Sequence, residues 1–152
     1  RLAWLGSNGP AESPQDRWTG FTAALGDDME LVLRLPEPPA DDGEALDALL
    51  ASGATAAFCV ELADAVRLER AARARGLGLP ADVSLVALGS HIRTEGSGTR
   101  FASFAIPREE MGRQATAMLV RRVEGGTAQA VQQVLLPCEP IRGDTLGPAK
   151  PS

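Results

Sequence analysis

Histidine occurs once in this chain, at position 91, and cysteine twice, at 59 and 138. A Ser-His-Asp or Cys-His catalytic site would therefore have to use His91, and no nucleophile stands with it in a recognisable motif. The two cysteines have no metal-ligand spacing and cannot make a disulfide framework. Cys59 lies in an apolar run and reads as a small core residue, and a reducing compartment fits the pair. There is no Gly-x-x-x-x-Gly-Lys loop, His-Glu-x-x-His, Cys-x-x-Cys or Gly-x-Ser-x-Gly. Gly76-x-Gly78 lacks the third glycine and the strand-to-helix setting of a dinucleotide fingerprint. These absences argue against an enzyme and predict no cofactor and no bound metal.

No apolar run approaches the roughly 20 residues that span a bilayer. Nor does the start resemble a signal peptide. Because the chain opens at Arg1 without a methionine, a fragment or processed product is expected. Its formal net charge is −5, which disfavours direct DNA contact, since that contact draws on lysines and arginines neutralising phosphates. Arg67, Arg70, Arg73 and Arg75 do cluster, but Glu61, Asp64 and Glu69 are interleaved with them. With Glu69 and Arg73 four apart, this reads as a solvated helix face.

What is present is an ordinary domain composition over 152 residues, enough for one hydrophobic core. Strands are expected at 2–5, 31–35, 55–60 and 83–88. Between them Ser13-Pro14-Gln15-Asp16 reads as a serine-capped helix start with Trp18, Phe21 and Leu25 at helical spacing. Asp41 or Asp42 caps a second helix, carrying Leu46, Leu49 and Leu50 and ending at Gly53. A third covers 61–75 and stops at Gly76. Three strand–helix–strand units imply a parallel sheet with helices on both faces, an α/β fold. Further on, a strand is expected at 101–106 and a helix from Pro107 with Met111, Ala115, Met118, Leu119 and Val123 in one stripe. Two closing strands follow at 131–136 and 141–145, then a disordered tail at 148–152. Ligands in such sheets bind beyond the carboxyl ends of the strands. The run Ala87-Leu88-Gly89-Ser90-His91 is therefore a first candidate.

Several stretches carry a family resemblance: Arg17-x-x-Gly20-Phe21-x-x-Ala24-Leu25, Thr55-Ala56-Ala57-Phe58, Gly76 with Pro80-x-Asp82-Val83-Ser84-Leu85-Val86, Pro107 with Met111-Gly112-x-x-Ala115, and Leu135-x-Pro137 with Arg142-x-x-Thr145. In this order they resemble the effector-binding region of LacI/GalR-type bacterial transcription regulators, whose fold is that of periplasmic sugar-binding proteins. The resemblance implies that 1–147 is the carboxyl-terminal effector-binding and dimerisation subdomain. Within it, 101–125 is a crossover segment returning to a first subdomain, and the DNA-binding head lies outside this chain. It also implies a cytoplasmic homodimer with its interface at the third helix, DNA contact only through the missing head, no membrane partner, and a small-molecule effector, a sugar or related metabolite. The crossover stripe is expected to be covered by another copy of the chain or by a rearranged segment.

In the family an arginine at the position of Arg17 clamps the ligand. Where the family has Asn-Asp after the third strand this chain has Glu61-Leu62, and the aspartate expected after the fourth is missing. Glu61, with Gly89, Ser90 and His91, is then the expected set of effector contacts beside Arg17. A solute-binding protein of a transport system is the alternative.

Overall fold

The computed structural model describes residues 1–6, 12–88, 98–125 and 132–148. Strands β1 (Leu2–Leu5), β2 (Leu31–Leu35), β3 (Ala56–Cys59), β4 (Ser84–Ala87), β5 (Ala102–Ala105) and β6 (Glu139–Ile141) form one sheet in the order β2-β1-β3-β4-β5-β6. All neighbours are parallel except β5 and β6. Helices α1 (Glu12–Ala23), α2 (Asp42–Ala51) and α3 (Leu62–Ala74) are the crossovers, and α4 (Arg108–Gly125) follows β5.

Strand alternation assigns the faces. Ala3 and Leu5 of β1, Ala57 and Cys59 of β3, and Leu85 and Ala87 of β4 pack with Leu46 and Leu49 of α2 and Leu68 and Ala72 of α3. The intervening Trp4 and Phe58 point the other way, to α1, where Phe21 lies 4.8 Å and 4.9 Å from their rings. The sheet order requires this split. A right-handed crossover from β1 to β2 runs opposite in direction to the steps from β2 to β3 and β3 to β4, so its helix falls on the other face. Leu46, Leu49 and Leu85 are among the largest fully buried side chains, each contributing about 1.5–3 kcal/mol of apolar burial.

The helix ends are local chemistry. Asp41, in extended conformation, accepts a hydrogen bond from the Glu44 amide at 3.0 Å and caps α2. Gly53 and Gly76, past the ends of α2 and α3, take φ of +68° and +71°, a left-handed turn that glycine makes without strain. Cys59 is fully buried, and that burial pushes its thiol pKa up.

Four expectations need correction. The first helix begins at Glu12, so Ser13 falls inside it instead of capping it. Residues 132–138 form no strand; the side of β5 away from β4 is paired with β6 instead. The last strand covers Glu139–Ile141 and not 141–145. The arginine-rich face of α3 is not simply solvated. Arg67 donates to Asp42 and to the Pro39 and Ala40 carbonyls, Arg75 pairs with Asp47, and Glu69 is buried while accepting from Thr99 and pairing with Arg73. The face is a seam between α2 and α3 with a buried carboxylate beneath it.

Helix α4 has no buried residue, and Met111, Leu119, Val120 and Val123 are all exposed. Met111, at its start, shares a groove with Val134 and Leu135, while Leu119 and Val123 further along stand open.

Candidate functional site

At the carboxyl ends of β1, β3 and β4 the backbone is drawn tight. The Val60 amide donates to Leu5 and the Leu88 amide to Cys59, both at 2.8 Å. Gly6 sits at φ +124°, and a Cβ there would lie 2.6 Å from the Val60 Cβ. Only glycine lets the end of β1 approach β3 this closely. The Trp4 indole N–H donates to the Gly6 carbonyl at 3.2 Å and fixes the turn from below.

Above this edge two expected site residues meet. The Arg17 Nη1 of α1 lies 3.5 Å from the Glu61 Oε1 at the start of α3. Glu61 occupies the N-cap position of α3, yet its side chain makes no capping hydrogen bond. Arg17 is one-third exposed and Glu61 two-thirds, at 33% and 67%, so both are open to a ligand. One turn into α3, burial raises the pKa of the Asp64 carboxyl; Arg67 pulls it back and Glu61 adds to the rise. Gly89, Ser90 and His91 lie outside the described residues.

Two further residues belong to this edge and had little signal in the sequence. The Arg34 guanidinium, near the end of β2, lies 4.3 Å from the centre of the Trp18 ring, a cation–π contact. Trp18 in turn meets the Trp4 ring edge-on at 5.3 Å. A lone arginine in the apolar run Leu31-Val32-Leu33-Arg34-Leu35 was the only hint.

From Arg17 an open groove of about 790 Å³ runs along α1, with Phe21, Phe58, Phe104 and Leu135 among its walls. Arg17 is the one charged side chain lining it among the described residues. Among those residues no cluster of three or more His, Cys, Asp or Glu side chains is placed to hold a metal ion, and no helix is long and apolar enough to cross a membrane.

Residues 1–146 match the periplasmic binding protein-like domain family. The chain belongs to that family. Its fold is shared with solved transcription regulators. CcpA of Lactococcus lactis superposes with a TM-score of 0.76 at 19% identity, over 95% of this chain and 55% of its own. A LacI-family regulator from Enterococcus faecium with bound ribose gives 0.78 at 23%, over 98% and 57%. A sugar-binding LacI-family regulator from Escherichia coli complexed with phosphate gives 0.72 at 22%, over 95% and 54%. The chain thus spans about half the length of these structures. No curated protein is similar enough in sequence to count as a relative.

Proposed function

We propose that this chain is the effector-sensing half of a LacI-type bacterial transcription regulator. The observation that carries the reading is the Arg17–Glu61 pair. A forked donor and a carboxylate stand together at the carboxyl edge of a parallel sheet, where open α/β folds take their ligands. The ribose held by a solved neighbour supports a small polar effector, a sugar or related metabolite, bound between this subdomain and a second one. The site binds and does not turn over its ligand.

Helix α4 with its exposed Met111, Leu119 and Val123 is assigned to the crossover 101–125 that packs on the other subdomain. Residues 1–147 would then form the effector-binding and dimerisation unit, with 148–152 as a tail. The protein works in the cytoplasm as a homodimer through α3 and its surroundings. DNA is bound by a head outside this chain, and effector-driven closure of the two subdomains repositions it. The alternative is a solute-binding component of a transporter.

The test is operator release. Arg17→Ala in the full-length protein is expected to weaken effector-driven release from DNA without lowering the melting temperature. An unchanged response removes Arg17 from the site, and a full-length protein that retains no specific DNA favours the transport reading.

A further inference from the structure

We infer that Glu61 sets the charge of the ligand this site accepts, admitting uncharged polyhydroxylated ligands and turning away anionic ones. The inference rests on the reading of the Arg17 edge as the effector site.

The argument starts from what Glu61 does not do. The first amides of a helix lack intrahelical partners and attract a carboxylate, both by hydrogen bonding and through the helix dipole. Glu61 stands at that position on α3 with extended backbone, φ −112° and ψ 141°, and caps none of them. Its carboxylate lies instead against Arg17, 3.5 Å away. The charge of Arg17 is therefore met before any ligand arrives.

Among the described residues, the neighbouring Arg67 does not compensate, being engaged by Asp42, Asp64 and the carbonyls of Pro39 and Ala40, and Arg34 is held over the Trp18 ring. A phosphate or carboxylate approaching Arg17 must then displace Glu61 or sit beside it, placing two negative charges on one fork. Like charges that close strongly disfavour joint ionisation. A ligand with adjacent hydroxyls meets no such conflict. One hydroxyl donates to the Glu61 carboxylate while its neighbour accepts from Arg17, and the ion pair stays in place.

The consequence is read with inorganic phosphate as the probe, titrated calorimetrically at low ionic strength into the full-length protein. Glu61→Gln keeps the size and hydrogen-bonding reach of the side chain and removes its charge. It is expected to bind phosphate at least about tenfold more tightly than the wild type, and the added change Arg17→Gln is expected to abolish the gain. Equal phosphate affinity in wild type and Glu61→Gln overturns the inference, as does a gain that survives loss of Arg17. The two readings fail separately. If Glu61→Gln gains nothing while Arg17→Ala still weakens effector-driven DNA release, charge selection falls and the effector site stands. If Arg17→Ala leaves that release unchanged, the site itself is wrong and the inference goes with it.

Discussion

The Thr145 hydroxyl donates a 2.7 Å hydrogen bond to the Leu85 carbonyl from a fully buried position. The same oxygen accepts from the Ala102 amide at 3.0 Å, and the Leu85 amide returns a 2.8 Å bond to the Thr145 carbonyl. Thr145 belongs to no strand, yet it joins β4 to β5 where their own ladder pairs only Val86 with Ala102 and Ala87 with Ser103. Past Ile141, the strand expected at 141–145 is thus replaced by contacts that Thr145 makes through both its hydroxyl and its backbone carbonyl.

Thr145→Val keeps the shape and removes the hydroxyl, leaving a buried amide and a buried carbonyl without that partner. The expected cost is about 1–3 kcal/mol in urea unfolding, with Thr145→Ser retaining more of the stability. A valine variant as stable as the wild type would mean that the hydroxyl does not hold the two strands.

Gly143 is set against the backbone entering β5. A Cβ at that position would stand 2.2 Å from the Ala102 nitrogen and from the Phe101 carbonyl carbon. Backbone cannot swing aside as a flexible side chain does. Gly143→Ala is therefore expected to destabilise the fold by about 1–3 kcal/mol, the usual range for forced overpacking, whereas Gly112→Ala, with open space around it, is expected to be neutral or slightly stabilising. Thermal melts of the two variants side by side make the comparison.

Where each element is fixed by its own residues, the sequence was legible. Strands β1 and β2 fall on the expected residues, and the ends of α2 and α3 follow from glycines that alone take the left-handed turn comfortably. The segment at 132–138 was not legible, because Val134, Leu135 and Leu136 have a strand's composition, and composition does not say which segment takes the place beside β5, here Glu139–Ile141. Glu69 and Arg73 have the spacing of a surface pair; only the tertiary packing around Thr99 makes that carboxylate a buried one. Arg17 and Glu61 were found through family resemblance, and no spacing rule foretold that residues so far apart would meet at 3.5 Å.

Helix α4 makes a sharp prediction about where its own stability comes from. Leu119 is 63% exposed and Val123 75%, so Leu119→Glu with Val123→Lys removes little burial within this chain and creates a favourable pair four residues apart. The double variant is expected to unfold within about 0.5 kcal/mol of the wild type. Leu46→Ala, in the α2 core, is expected to lose about 2–5 kcal/mol. A large loss in the α4 variant would show that the stripe is already covered in this chain, and α4 could not be the free crossover element proposed above.

Asp64 gives a pH signature beside the site. Burial raises its carboxyl above the ordinary value of 3.8 despite the Arg67 guanidinium. The folded chain therefore binds this proton more tightly than the unfolded chain does. The group's contribution to stability is greatest below both pKa values and is lost as pH rises through the folded one. Asp64→Asn holds the site neutral at every pH and keeps an acceptor for Arg67. The variant is accordingly expected to gain on the wild type as pH rises from about 3 to about 6, by about 1.4 kcal/mol for each unit by which the pKa is raised. Urea unfolding of both proteins across that range measures the difference. A flat difference would place Asp64 at its ordinary pKa, and a wild type that gains on the variant would mean that the attraction of Arg67 outweighs burial.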